Sequence, residues 1–422
     1  MDVFGLNAQQ LEAAGAHWTA REIVQQPLVW SEIQGLVGAV SSFLAPLLQR
    51  PDMRIVLTGA GTSGFIGECL APALARRTSL RVEAVSTTDL VASPGSWLAA
   101  NAPTLLVSFS RSGNSPEAVA AIDVAEACVK QCYHLVVTCD AEGALFRSAK
   151  TMSNAKSILL PDASNDRSFA MTSSFTGMLL AAAMALGALG MDGKRSARLA
   201  HLAKQVLPER ASLLQDLVSS KFERIVYLGS KELKGLAREC ALKMLELTDG
   251  KVVAIADSPL GFRHGPKTIL NRQTLVVVFV CNDPYTRQYD LDLIAELRRD
   301  GVAARVVAVS AGEAAPGRPA VVSASAAVPG RPAVVSASEA IPGRAPTVGA
   351  SDGVPDHPDD VDLHGAAGDS DLELCLPYAM FAQSLALLRS LSLGVRPDNP
   401  NAAGTVSRVV KGVTIHPWRG TA

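Results

Sequence analysis

Several common features are scarce in this chain of 422 residues, and each scarcity excludes something. Lys and Arg number 39 against 40 Asp and Glu, a formal net charge of −1. No surplus of one sign is left to draw the chain to nucleic acid or to an anionic membrane. The cysteines are seven, an odd number, scattered from Cys69 to Cys375 without any CxxC. That usage predicts reduced thiols and no metal site. The first ten residues lack the basic start and apolar run of a secretory signal. The longest uncharged stretch, 168–191, has an apolar part (178–189) too short to span a bilayer. It reads as a buried helix capped by Thr172, Ser173 and Ser174. The expectation is a soluble cytoplasmic protein with no nucleic-acid or membrane partner.

What is present is an alternation. Residues 1–50 read as an amphipathic helical arm broken at Pro27. Short apolar runs at 54–58, 82–86, 104–108, 134–138 and 157–160 then alternate with longer helical stretches, the mark of a parallel sheet covered on both faces. A helical connector follows at 196–214, and the pattern starts again. RIVLTGAGTSGFIGECL at Arg54 and RIVYLGSKELKGLAREC at Arg224 share a strand, a Gly and a following helix, and LLVSF and LVVVF lie at matching offsets. This predicts two copies of one α/β unit, at 51–195 and at 215–309 with 371–395. Between those last two pieces, 310–370 reads as an inserted, mostly disordered loop. PGRPAVVSAS occurs there at Pro316 and Pro329, with a third PGR at Pro342, and an acidic stretch follows. His357 and His364 among its aspartates are weak metal candidates. A tail, 396–422, follows and is expected to close the site.

Chemistry is concentrated in a few places. In LLVSFSRSGNSPEAV, an apolar strand ends in Ser110, Arg111, Ser112, Gly113, Asn114 and Ser115, and Pro116 and Glu117 open a helix. Hydroxyls and free N–H groups converge on one point, which suits a phosphate. Gly59, Gly61 and Gly64 nearly spell a dinucleotide fingerprint. The nearest acid after the second strand, Asp89, sits beyond its end, so a sugar carrying one phosphate fits better, with Thr62 and Ser63 facing the sugar. In the helix at 231–248, Glu239, Lys243 and Glu246 share one face of an otherwise apolar cylinder. Downstream, His264 lies between Arg263 and Gly265-Pro266 in a loop past a strand. An imidazole suits proton exchange with a sugar oxygen, and His264 forms a candidate pair with a helical Glu of the same unit.

The GTSG turn, the SxSGxS loop, the ALKxLEL helix and the HGP loop, in this order, resemble the sugar isomerase (SIS) domain family. Their tandem arrangement is similar to the isomerase half of glucosamine-6-phosphate synthase. SNDRSFAMTSSFT, ALKMLELTDGKV, GFRHGPK and GTVSRVVKGVTIHP more closely resemble the galactosamine-6-phosphate deaminase/isomerase group, also labelled tagatose-6-phosphate ketose/aldose isomerase. The likeness implies two flavodoxin-like, doubly wound domains and no metal or redox cofactor. It also implies a homo-oligomer, a dimer or larger, in which a neighbouring subunit completes the site. Carried over, Ser110, Arg111, Ser112 and Ser115 bind phosphate, with Arg111 in place of the synthase Gln. Thr62, Ser63, Thr172, Ser173 and Lys411 contact the sugar. Glu246 shuttles the proton, His264 opens the ring, and Glu239 and Lys243 support them. Three functions fit: amino-sugar phosphate deamination, ketose/aldose isomerisation without deamination, and non-catalytic sugar-phosphate sensing. The 1–50 arm lacks the basic helix-turn-helix of a sensor, and both Glu246 and His264 are present.

Overall fold

In the computed structural model, residues 4–190, 192–207, 210–312, 357–410, 412–418 and 420 are described. The arm is four helices: α1 (Ala8–Ala13), α2 (His17–Val24), α3 (Gln26–Val37) and α4 (Ser41–Leu48). Pro27 sits in the first turn of α3, where its missing N–H costs nothing. Next come β1 (Arg54–Gly59), α5 (Thr62–Ala75), β2 (Arg81–Ser86), α6 (Thr87–Ala92), α7 (Pro94–Trp97), β3 (Thr104–Ser110), α8 (Pro116–Cys128), β4 (Cys132–Thr138), α9 (Ala144–Thr151), β5 (Ala155–Leu159) and α10 (Ser173–Ala185). Two helices, α11 (Gly193–Val206) and α12 (Ala211–Ser219), lead to β6 (Arg224–Gly229), α13 (Glu232–Leu247), β7 (Val253–Asp257) and α14 (Pro259–Phe262). The remainder is β8 (Thr274–Phe279), α15 (Pro284–Asp300), β9 (Arg305–Gly312), β10 (Val361–His364) and α16 (Asp371–Ser392).

Every strand pairing is parallel. The first sheet runs β2-β1-β3-β4-β5 and the second β10-β9-β8-β6-β7. Counted from its own first strand, each is ordered 2-1-3-4-5, the flavodoxin-like order. β1, β3 and β8 are buried along their whole length, as strands covered by helices on both faces must be. One apolar cluster runs through both halves, from Ile55, Leu105 and Phe175 to Ile225, Leu275 and Phe381. The α13–α5 seam between them is tight. A Cβ on Gly235 would stand 2.7 Å from the Cys69 nitrogen, so only glycine lets α13 approach α5 this closely.

Two expectations need correction. The span read as an insert, 310–370, is not all loop. Residues 313–356, which carry the PGR repeats, lie outside the described residues, but 361–364 form β10, the fifth strand of the second sheet. Its acidic approach is held by basic partners: Arg305 Nε donates to Asp359 at 2.6 Å and Arg298 Nη2 to Asp360 at 2.5 Å. Asp359 and Asp360, which suggested a solvated loop, are ion-pair partners of β9 and α15. The helix after it also starts earlier than 378. Ser370 and Glu373 form a capping box, and α16 runs through Pro377. α16 and the 26–48 region are long and apolar enough to cross a membrane, but α16 is 94 % buried in this fold, as an internal helix that is apolar all round should be.

Candidate active site

In an open sheet ordered 2-1-3-4-5, the crevice lies at the carboxyl ends of the two strands where the order reverses. In the first sheet these are β1 and β3. After β1, Gly61 takes φ +55° and turns the chain into α5, with Thr62 and Ser63 in its first turn. After β3, Gly113 takes φ +62°. Its N–H donates to Ser110 Oγ at 3.1 Å, and the Asn114 N–H donates to Ser112 Oγ at 3.3 Å. Both hydroxyls accept from the backbone, so each keeps its proton to give. Ser115 caps α8 with no side-chain bond of its own.

Ser63, Ser110, Arg111, Ser112 and Ser115 line a cleft of about 120 Å³, with Arg408 among its other lining residues. Arg111 is 5 % exposed, and its Nε and Nη1 have no hydrogen-bond partner. Its Nη2 donates to the Arg408 carbonyl at 3.4 Å. A buried guanidinium with free N–H groups beside three hydroxyls is a built receptor for an anion.

The second sheet supplies something different. At the position of Gly61 stands Lys231, held at φ +54°. Its Nζ donates to Asp371 Oδ2 at 3.0 Å, and Asp371 also accepts from the Cys281 thiol at 2.8 Å and the Asn282 N–H at 2.6 Å. Asp290 fills the adjoining space, accepting from the Cys281 N–H and Ser230 Oγ. The crevice that would match the phosphate cleft is thus occupied by the protein's own charges.

The functional face of this half is along α13. Lys243 is 1 % exposed, ion-paired with Glu246 and 3.6 Å from Glu239. Its Nζ also donates to Thr62 Oγ1 at 2.9 Å, tying α13 to the first sheet's turn. Burial pushes the Glu239 carboxyl up to about 8, against the opposing pull of Lys243. For Lys243, burial is the largest influence and works downward, but Glu239 and Glu246 outweigh it and the net direction is up. The lysine stays charged. The Glu246 side chain, 25 % exposed, reaches a cavity of about 320 Å³ lined also by Phe169, Leu245 and Val406. Val406 and Arg408, one at each cavity, are two residues apart, at most about 7 Å of extended chain.

The remaining site expectations fare differently. Thr62 and Ser63 lie at the junction of the two halves. Thr172 and Ser173 do not reach the cleft: Thr172 Oγ1 donates to Asp166 at 3.2 Å and Ser173 Oγ to the Glu22 carbonyl at 2.6 Å, while Met171 lines the cleft instead. Nor do these residues cap α10. The Asp166 carboxylate does, accepting from the N–H groups of Thr172, Ser173 and Ser174 at 2.8 to 3.0 Å. A buried carboxylate with a full set of donors outcompetes hydroxyls for a helix N-terminus. Lys411 lies outside the described residues.

The pairing of His264 with Glu246 within one chain is not made. Glu246 sits in the last turn of α13, near the start of β7, whereas exposed His264 follows the far end of that strand. The five residues of β7 separate those ends by roughly 16 Å. Lys267 ties the His264 loop to α15 through Glu296 and Asp300 instead.

Sequence reasoning missed Arg408, Asp166 and Glu22. Glu22 comes from α2 and accepts from the Arg167 and Ser168 N–H groups and from Ser168 Oγ, bracing the loop that holds Asp166. Among the described residues, Glu126, Cys132 and His134 are close enough to share a cation, with ligand atoms within 4.8 Å. His134 Nε2 is already bonded to Glu126 Oε1 at 2.6 Å, which accounts for the grouping. His357 and His364 each lie near a single aspartate, at 3.8 Å and 3.5 Å.

Three buried carboxyls carry raised pKa values, chiefly through burial: Glu239 to about 8, and Glu22 and Asp290 to about 7. Each folded-state group holds its proton to higher pH than in the unfolded chain. From about pH 4.5, or 3.8 for Asp290, up to those values, the native state therefore binds more protons, and stability falls as pH rises. Thermal melts from pH 5 to 8 are expected to show a declining Tm, with a shallower decline in Glu239→Gln. An equal slope in the variant would mean that Glu239 titrates as it does in the unfolded chain.

The SIS-domain family model matches residues 47–188, the first sheet and its cleft. The D-galactosamine-6-phosphate deaminase AgaS of Escherichia coli is 43 % identical over 96 % of the chain and 97 % of the relative. The protein of the same name from Shewanella sp. strain ANA-3 is 39 % identical over 98 % of the chain and 95 % of the relative. Among solved structures, a tagatose-6-phosphate ketose/aldose isomerase from Escherichia coli superposes with a TM-score of 0.77 and 40 % identity, covering 96 % of the chain and 97 % of the relative.

Proposed function

The chain belongs to the SIS-domain family, in the group of D-galactosamine-6-phosphate deaminases, and from that premise we propose that it converts D-galactosamine-6-phosphate to D-tagatose-6-phosphate and ammonia in the cytoplasm. The observation that carries this reading is Lys243 locked between Glu239 and Glu246 and bonded to Thr62, whose chain neighbour Ser63 lines the arginine- and serine-lined anion cleft. Phosphate held by Arg111, Ser110, Ser112 and Ser115, with Ser63 beside the sugar, aims the other end of a hexose chain toward Glu246.

The chemistry follows from adjacency. In the open aldehyde form, Glu246 takes the proton from C2. The C–H electron pair forms a C1=C2 double bond, and the carbonyl oxygen gains a proton to give an enolamine. The same carboxyl returns its proton to C1, because one carboxylate reaches both neighbouring carbons. The amino group is now a C2 ketimine. Water adds to it, the C–N bond breaks, and ammonia leaves a ketose phosphate. Lys243 fixes the Glu246 rotamer throughout.

Ring opening needs a proton donor and acceptor at the ring and anomeric oxygens, and His264 suits that task. Its separation from Glu246 within one chain supports a homo-oligomer in which a neighbouring copy lends its His264. Exposed Val253 and Leu260, on the edge strand β7 and beside the His264 loop, suit such a contact.

Ammonia release from purified protein is the test, with galactosamine-6-phosphate and glucosamine-6-phosphate compared and no cofactor added. Release from the galacto sugar alone is expected. Release from neither, with tagatose-6-phosphate converted to an aldose phosphate, would replace deamination with plain isomerisation.

A further inference from the structure

We propose that Arg408, on the C-terminal strap, is a second substrate-anion residue: its guanidinium joins that of Arg111 on the phosphate, so that the anion itself fastens the strap over the cleft. This rests on the reading of that cleft as the sugar-phosphate site. The strap is anchored firmly at its start. The Asp398 carboxylate accepts from the Trp18 and Thr19 N–H groups at 3.1 and 2.8 Å and from Thr19 Oγ1 at 2.7 Å. Asn401 then bonds Asp249 at 3.1 Å and accepts from the Thr405 N–H at 2.8 Å. At the far end, Trp418 packs into the apolar cluster around α8. Between these anchors, 402–408 is irregular and exposed, with Gly404 at φ +72°. The strap's recorded bond to the cleft is the 3.4 Å contact from Arg111 to the Arg408 carbonyl, a long and weak one.

The charges do not favour that closure by themselves. Arg408 lines the same cleft as Arg111, and among the described residues no carboxylate forms an ion pair with either. Arg408 is exposed as a residue, but its pKa is lowered, first by partial burial and next by the Arg111 charge, against a weaker upward pull from Glu22 and Asp166, which marks the two cations as neighbours. Two guanidiniums facing one small cleft repel each other when it holds only water. A phosphate dianion offers each a pair of oxygens and turns the repulsion into two charge-assisted contacts. Strap closure and anion binding are then thermodynamically linked, and each strengthens the other. The device also discriminates. An amino sugar without phosphate leaves the cations unmatched, the strap loose and the Glu246 cavity, which Val406 of the same strap lines, open to water.

Inorganic phosphate is the probe, applied to the full chain. Digestion with proteinase K is expected to cut the strap within 401–418 in phosphate-free buffer and to spare it when phosphate is present. Arg408→Gln is expected to weaken phosphate binding roughly tenfold or more, to lose the protection and to raise KM, while Arg408→Lys recovers part of the affinity. Equal digestion of the wild type with and without phosphate would overturn the proposal, as would unchanged phosphate affinity and KM in Arg408→Gln. Digestion and phosphate affinity are both independent of the deaminase assignment. Phosphate protection that depends on Arg408, in a protein that releases no ammonia, would sink that assignment and leave Arg408 standing.

Discussion

Glu246→Gln is expected to lower turnover by about 10²- to 10⁴-fold, the usual worth of a general base, while leaving inorganic phosphate binding unchanged. The amide keeps the volume and shape of the carboxylate. Its oxygen still accepts from Lys243 Nζ, so the α13 face and the Thr62 bridge stay in place. What it cannot do is take a proton from carbon. Because the phosphate cleft is built from the β1 and β3 turns, its affinity is independent of this position. Exchange of the C2 hydrogen with solvent should stop together with ammonia release. Turnover close to wild type would remove Glu246 from proton transfer and move attention to Glu239, whose raised pKa makes it the other buried acid–base group on this helix.

A mixture of two inactive variants should regain activity. Glu246→Gln and His264→Asn each disable every site when alone. If a site takes Glu246 from one copy and His264 from another, co-assembly of the two variants creates some sites with both residues intact. For random pairing into dimers, about a quarter of wild-type activity is expected. Each variant is unfolded and refolded alone and with the other, and ammonia release is compared. No recovery, with mixed assemblies confirmed by differential tagging, would place both groups in one chain and require the His264 loop to cross the length of β7.

The sequence made the frame of the molecule legible because buried parallel strands leave little freedom. RIVLTG and TLLVSFS read as fully covered strands, and the repeat of the pattern from Arg224 predicted a second sheet of the same order. The Ser110–Ser115 turn and the Glu239–Lys243–Glu246 face were readable for the same reason: local spacing fixes what shares a turn or a helix face. What escaped was non-local. β10 hid in an acidic stretch because its aspartates pair with Arg298 and Arg305, more than 50 residues earlier. Asp166 looked like one polar residue among several, and only the fold shows three N–H groups pointing at it. His264 and Glu246 are 18 positions apart in sequence, but a strand and its flanking loops lie between them, which spacing alone does not reveal. Arg408 carried no motif, since its role depends on a strap returning to a turn formed some 300 residues before.

Lys231 also bears on how substrate saturation should look. With its ammonium held by Asp371 where the first sheet keeps Gly61 and an open turn, the duplicated half has no vacancy to fill. Among the described residues, each chain then has one such cleft suited to a phosphate, in spite of its two sheets. A sigmoidal dependence of rate on substrate concentration would therefore point to coupling between copies of the chain, and not to one half of a chain informing the other.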